Sequence, residues 1–166
     1  MTTPEESRRG LEVGDPAPDF ALTDQRLRTT RLRDFRGRSL LIVFFPLTFT
    51  AVCGGELTRL RDELPDFVDA DRALVAISTD TSAVHRAYDE REFLGFPLLS
   101  DFWPHGAVAR AYGVFDERTG QARRGTFLVD GAGVVRWTTV NDMPEARSTD
   151  DYRAALAALQ GRAATS

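Results

Sequence analysis

Two short apolar runs, separated by an amphipathic segment, constrain the fold of this chain more than any other feature. Residues 40–45 carry large apolar side chains at every position, which is typical of a strand buried on both faces. Residues 74–78 repeat the pattern. Between the two runs, Leu57, Leu60 and Leu64 recur at helical spacing among charged residues, which predicts a helix over residues 51–64. A strand–helix–strand unit of this kind indicates an α/β domain built on a parallel or mixed sheet.

The rest of the chain continues this alternation of strands and helices. Thr81 or Ser82 is expected to cap the helix that begins there. We predict an α/β fold with a central mixed β-sheet flanked by helices and an N-terminal β-hairpin, as one domain over residues 11–162 after a flexible N-terminus, 1–10. The remaining expected elements are extended segments at 20–22, 29–32 and 96–100, helices at 81–93, 106–112 and 150–159, and a hairpin over 125–140.

Charge and composition exclude several classes of function. The formal net charge of the 166 residues is −4, which argues against a nucleic-acid-binding protein. All 21 basic residues are arginine, so neither a Schiff-base lysine nor a phosphate-loop lysine is present. No apolar core of a secretory signal is visible near the N-terminus, and residues 40–45 are too few to span a bilayer. We therefore expect a cytoplasmic protein with no nucleic-acid or membrane partner.

The cysteine count limits redox and metal chemistry. Cys53 is the one cysteine of the chain, which excludes an internal disulfide and a Cys-x-x-Cys pair. The two histidines, His85 and His105, are too few beside one cysteine to favour a zinc site. No metal and no cofactor is expected.

Cys53 lies in the first turn of the predicted helix 51–64, and that position favours a reactive thiolate. Backbone N–H groups in the first helical turn have no intrahelical partners, and the helix dipole adds partial positive charge there. Both effects lower the pKa of a cysteine below its usual value. A lone cysteine can equally be a small buried apolar residue. Gly54 and Gly55, which are poor helix formers, and the nearby hydroxyl of Thr50 favour the reactive alternative.

The spacing Pro46-x-x-x-Thr50-x-x-Cys53 resembles the active-site signature of the peroxiredoxins. The resemblance extends over residues 11–139 and implies a thioredoxin-like fold with thiol peroxidase activity. One departure is the sequence Gln-Arg-Leu at residues 25–27, where many relatives carry a glycine in the turn. Residues 14–20 resemble the N-terminal segment of the family, and four further segments are similar to the AhpE subfamily of actinobacteria: 44–53, 98–106, 111–114 and 124–127.

This resemblance implies a role for each residue that matches the family pattern. Cys53 would be the peroxidatic nucleophile, and Thr50 would hydrogen-bond both the thiolate and the incoming peroxide. Arg124 matches the active-site arginine of the family. Pro46 would shield the sulfur from solvent. Glu56, one helical turn after the cysteine, would orient an arginine.

Several other residues are given structural interpretations. Arg123 lies beside Arg124, and the alternation of side chains along a strand would point only one of the two at the cysteine. His85 is expected at the surface of its helix, and His105 is expected to have a structural role in a loop. Three aromatic residues are expected in the core or at a subunit contact: Trp103, Tyr112 and Phe115.

The single cysteine also determines how the cycle would be completed. Oxidised Cys53 has no resolving cysteine in the chain. A Cys53–Cys53 bridge between two subunits is conceivable but needs two buried sites to meet, so reduction of the sulfenic acid by an external thiol or a small redoxin is favoured. The resemblance implies mycothiol or mycoredoxin-like reductants and a homodimer. Two alternatives stay open from the residues: a peroxide sensor that passes oxidation to a partner protein, and a thioredoxin-fold binding module whose cysteine is inert.

Overall fold

The structure, a computed structural model, describes residues 10–63, 65, 68–141, 153 and 157, without the side chains of residues 51–54 and 141. Of the expected N-terminus, residues 1–9 lie outside the described residues, as does Leu64. In the expected last helix, Arg153 and Ala157 are helical and the other positions lie outside the described residues. Among the described residues, no helix has the length and apolar character needed to cross a bilayer.

A seven-stranded mixed sheet forms the centre of the fold and confirms the predicted α/β class. Its spatial order is β2-β1-β5-β4-β3-β8-β9; β3, β4 and β5 run parallel, and the other pairings are antiparallel. β1 and β2 are the expected N-terminal hairpin. The strands are β1 (Ala21–Thr23), β2 (Thr29–Arg31), β3 (Ser39–Phe44), β4 (Arg72–Ser78), β5 (Leu98–Ser100), β6 (Phe115–Asp116), β7 (Gln121–Ala122), β8 (Arg124–Val129) and β9 (Val135–Asn141).

Strand β3 is buried on both faces, as its apolar run predicts. Its alternate side chains enter two hydrophobic clusters, one on each side of the sheet. Helices α1 (Ala51–Asp62) and α2 (Ser82–Glu92) supply Leu57, Leu60 and Tyr88 to the second cluster, and α3 (Ala107–Ala111) supplies Ala109 to the first. The first cluster receives Leu40, Ile42 and Phe44, and the second receives Leu41, Val43 and the following residue, Phe45.

The start of α2 resolves the two capping alternatives in favour of Thr81. Thr81 has extended backbone angles, and its Oγ1 accepts a hydrogen bond of 3.3 Å from the N–H of Val84. This bond supplies one of the partners that the first turn of a helix lacks. The helix ends at Phe93, whose φ of 51° lies in the left-handed region.

Two elements of the fold were not predicted, and the burial of three aromatic residues was only partly predicted. The strands of the β6–β7 ribbon have two residues each, too few to show a period, and a 3₁₀ helix covers Leu32–Phe35.

Tyr112 lies in the core, where its ring is 5.3 Å from that of Phe44. Trp103 is 80% exposed and is therefore not a core residue. Phe115 is half-buried, with the guanidinium of Arg110 at 4.3 Å from its ring centre.

The turn between β1 and β2 holds a leucine in a conformation that suits glycine. Leu27 has a φ of 62° and is 71% exposed, so its side chain contributes little packing to offset the left-handed backbone. We expect Leu27→Gly to raise the free energy of unfolding by about 0.5–1 kcal/mol, because relief of strain exceeds the entropy lost by glycine. Urea unfolding measures the difference. Arg26→Gly, at the adjacent exposed position without a positive φ, is the control, and equal effects of the two variants would contradict the argument.

Candidate active site

The candidate site begins where β3 leaves the centre of the sheet and the chain turns into α1. Pro46 is buried at the start of this turn, and Phe49 has a φ of 62°, which brings the chain back toward the helix. Thr50 is the N-cap residue of α1, with extended backbone angles. Cys53 is the third residue of α1, so its backbone lies in the first helical turn, as predicted; its side chain is outside the described residues. No acidic residue lies in that turn, so its partial positive charge is not offset locally.

Thr50 lies on the exposed side of this turn, beside an open groove. Its Oγ1 donates a hydrogen bond of 3.0 Å to the carbonyl oxygen of Leu47, which closes the turn on itself. The groove has a volume of about 480 Å³, and its lining includes Phe49, Tyr88 and Arg91 together with Thr50. Gly55 and Thr58 of α1 and Glu92 of α2 also line it, so the groove lies between these two helices.

A buried ion pair joins α1 to strand β8. Nη1 of Arg124, the first residue of β8, donates to Oε2 of Glu56 in α1 at 2.5 Å. The two side chains are 3% and 5% exposed. β8 pairs directly with β3, and this pairing brings residues 68 positions apart in the sequence into contact. At this depth the carboxylate fixes the guanidinium in one place, since a charge buried without a partner is costly.

The helix geometry relates this ion pair to the cysteine position. Residues three apart in an α-helix share a face, so Glu56 lies one turn beyond position 53 on the same face of α1. Arg124 is thus held against the face of α1 on which the backbone places Cys53. The neighbouring Arg123 is only half-buried and precedes β8.

A hydrogen-bonded cluster of polar side chains underlies the turn between β3 and α1. The backbone N–H of Thr48 donates to Oδ2 of Asp80 at 2.9 Å, and the hydroxyl of Ser78 donates to the same oxygen at 2.7 Å. Nε2 of His85 lies 2.7 Å from Oγ of Ser78 and 3.8 Å from Oδ2 of Asp80. The residue pattern around Thr48, Ser78 and Asp80 does not by itself predict this cluster. One available signal was that β4, otherwise apolar over residues 73–77, ends on a serine.

The prediction that His85 lies at the surface is wrong. His85 is fully buried (0% exposed), on the face of α2 that packs on the sheet, one turn before buried Tyr88. Burial lowers the pKa of His85 from 6.5 to about 4, although the nearby carboxylate of Asp80 and the backbone at Leu98 act to raise it. The imidazole is therefore neutral at physiological pH.

The other histidine has structural contacts. Nε2 of His105 lies 2.6 Å from the carbonyl oxygen of Gly120, which ties the loop before α3 to the β6–β7 turn. Within the part of the chain that the structure describes, no group of three or more His, Cys, Asp or Glu side chains is arranged to hold a metal ion.

Comparison with known sequences places this site in a family. Residues 13–138 match the AhpC/TSA family. The chain is 49% identical over 150 residues to alkyl hydroperoxide reductase E of Mycobacterium tuberculosis, an alignment that covers 90% of this chain and 98% of that protein. It is 36% identical over 151 residues to thioredoxin peroxidase of Fasciola hepatica, covering 85% and 77% of the two chains.

Solved structures show the same fold. The reduced 2-Cys peroxiredoxin of Plasmodium vivax superposes with a TM-score of 0.81 at 27% identity, covering 90% of this chain and 82% of that chain. AhpC of Enterococcus faecalis superposes with a TM-score of 0.81 at 28% identity, covering 91% and 93%. These likenesses confirm the predicted thioredoxin-like arrangement of a mixed sheet and flanking helices.

Proposed function

This chain belongs to the AhpC/TSA family of peroxiredoxins and is a thiol-dependent peroxidase, and we propose that Cys53 is the residue oxidised by the peroxide. Its single cysteine fits a one-cysteine mechanism in which an external thiol completes the cycle. The observation that carries the proposal is the buried Arg124–Glu56 pair on the face of α1 that position 53 shares. A guanidinium held there would favour the thiolate of Cys53 over the thiol.

In the first half-reaction, the thiolate sulfur of Cys53 attacks one peroxide oxygen, and an S–O bond forms as the O–O bond breaks. The sulfur is oxidised to sulfenic acid, while the other oxygen leaves as hydroxide or alkoxide and takes up a proton to give water or an alcohol. Arg124 and the first-turn N–H groups would stabilise the negative charge that develops on this leaving oxygen. The Thr50 hydroxyl donates to the Leu47 carbonyl in this structure and would turn its proton toward the leaving oxygen in the reaction. Pro46 would limit the access of water to the sulfur, and Glu56 would keep the guanidinium in position.

In the second half-reaction, an external thiol attacks the sulfenic acid, which gives a mixed disulfide and water. A second thiol, or a redoxin, then releases Cys53 as the thiol and carries away the disulfide. We further propose mycothiol or a mycoredoxin-like protein as the reductant, as the resemblance to the AhpE subfamily implies.

Hydrogen peroxide and organic hydroperoxides are the proposed substrates, with peroxynitrite as a further candidate. The name of the mycobacterial relative refers to alkyl hydroperoxides. We further propose a cytoplasmic homodimer. The high exposure of Trp103 and Phe102, at 80% and 49%, supports a subunit contact in that region.

The test is to treat the reduced protein with one equivalent of hydrogen peroxide and to follow the peroxide and the protein mass together. We expect the peroxide to be consumed stoichiometrically and the peptide that contains Cys53 to gain one oxygen atom. The Cys53→Ser variant is the control, and full peroxide consumption by it would contradict the proposal. A cysteine that titrates at its ordinary value and does not react would indicate the inert binding module instead. Slow turnover with every small thiol, together with a trapped mixed disulfide to one protein, would indicate a peroxide sensor.

A further inference from the structure

The turn at residues 46–50, which leads to Cys53, is hydrogen-bonded to the side chain of Asp80. The N–H of Thr48 is the donor, and Oδ2 of Asp80 is the acceptor, at 2.9 Å across 32 positions of sequence. Thr48 is 4% exposed, and the side chain of Asp80 is 8% exposed, so water competes little for this bond. A hydrogen bond to an ionised carboxylate is about twice as strong as a neutral one.

Asp80 is itself fixed by bonds from two strands. The hydroxyl of Ser78, at the end of β4, donates to its carboxylate at 2.7 Å, and the hydroxyl of Ser100, at the end of β5, donates to its backbone carbonyl at 2.6 Å. Because a carboxylate oxygen can only accept, the Ser78 proton is given to Asp80, and His85 Nε2–H donates to Ser78 Oγ. A chain of hydrogen bonds thus runs from the buried imidazole through the serine and the carboxylate to the backbone of the turn.

Two further contacts of the turn are evident among the described residues. The ring of Phe49 packs edge-on against Tyr88 of α2 at 4.9 Å, and Thr50 bonds within the turn to Leu47. The hydroxyl of Thr48 has no hydrogen-bond partner among the described residues, so its backbone N–H is the polar group that anchors it. The bond between Thr48 and Asp80 thus ties the turn to a distant segment of the chain, whereas the bond of Thr50 is local.

We propose that Asp80, supported by Ser78 and His85, is a positioning residue for peroxide reduction that fixes the turn at residues 46–50. This inference rests on the proposed function, since it assumes that Cys53 reacts with the peroxide and that Thr50 contacts it. Asp80 acts through the backbone of Thr48 and touches no reacting atom. Loss of the bond would let the turn move, and the Thr50 hydroxyl would then meet the transition state less often.

The experiment compares two reactions of the same thiol. Oxidation by hydrogen peroxide needs the positioned hydroxyl, whereas alkylation by iodoacetamide needs only the thiolate. We expect Asp80→Ala to lower the ratio of the peroxide rate constant to the iodoacetamide rate constant by about tenfold or more. Asp80→Asn, whose amide oxygen can still accept from Thr48, is expected to keep the ratio within about threefold of the wild type.

Asp101→Ala is the matched control, because Asp101 is also a buried aspartate that accepts bonds from backbone N–H groups, those of Val108 and Ala109 in α3. This variant should lose stability and keep the ratio, as a merely structural residue would. If Asp80→Ala fails to fold, Ser78→Ala is used, which keeps the bond to Thr48 and is expected to lower the ratio by about fivefold, beyond the range expected for Asp80→Asn.

An unchanged ratio in every folded variant at Ser78 and Asp80, with a wild-type protein that consumes peroxide, would overturn this inference alone. A ratio that falls equally in Asp101→Ala would also overturn it. A wild-type protein that alkylates and does not consume peroxide would overturn the proposed function itself, so the two failures are distinguishable.

Discussion

Replacing Arg124 with glutamine is expected to slow the oxidation of Cys53 by hydrogen peroxide by about two to three orders of magnitude, the usual effect of removing a donor to a developing oxyanion. Glutamine has no positive charge to stabilise the thiolate or the leaving oxygen. It also deprives the carboxylate of Glu56 of its guanidinium, with both side chains nearly inaccessible to solvent. We therefore expect the free energy of unfolding to fall as well, by about 3–5 kcal/mol.

Stopped-flow kinetics and urea unfolding measure these two effects separately. Rates are taken where the variant is fully folded, so that lost stability is not counted as lost chemistry. Arg123→Gln is the matched control: its residue is the same type at the adjacent, half-buried position, and we expect a rate within about threefold of wild type. A folded Arg124→Gln protein that reacts at the wild-type rate would show that another group stabilises the transition state.

Lowering the pH from 7 to 4 is expected to cost the fold about 3 kcal/mol through His85 alone, at 1.36 kcal/mol for each unit of pKa difference. Burial lowers the pKa of His85 from 6.5 to about 4 in the folded state. Between these values the unfolded chain binds the proton more readily than the folded chain, so stability falls as the pH is lowered through this range. Below about pH 4 both states are protonated at this residue, and the loss is complete.

Urea unfolding at a series of pH values, compared with the His85→Gln variant, isolates this contribution from that of the carboxylates. The variant is expected to be less stable at pH 7 and to lose less stability on acidification. His105→Gln, which replaces the exposed histidine, is expected to keep the wild-type loss. Equal acid sensitivity in the wild-type protein and in His85→Gln would show that the imidazole does not determine the acid limit of the fold.

The elements with a clear periodicity could be predicted from the sequence. The run at 40–45 is apolar at every position, and a strand buried on both faces is the arrangement that uses all of those side chains. Thr81 precedes its helix at the position of a cap and forms the capping bond. The β6–β7 ribbon could not be predicted, because two-residue strands have no period and are specified by their neighbours in space.

Residue spacing alone could predict only those parts of the site that lie within one segment of the chain. The place of Cys53 in the first turn of α1 follows from the helix start, and Glu56 follows one turn later. The Thr48–Asp80 bond joins two segments whose polar residues have no distinctive local pattern, so the sequence alone did not reveal it. His85 was misplaced because a histidine among charged residues is typical of a surface, whereas its neighbours in the fold surround it completely.

The position of β8 in the sheet determines when the site can be completed during synthesis of the chain. β8 begins well after α1 in the sequence, yet it pairs with β3 near the middle of the sheet and brings Arg124 to Glu56. A nascent chain that already contains the nucleophile would therefore lack its guanidinium until β8 has been made. Under the roles proposed above, Cys53 gains its full reactivity only after β8 has paired with β3.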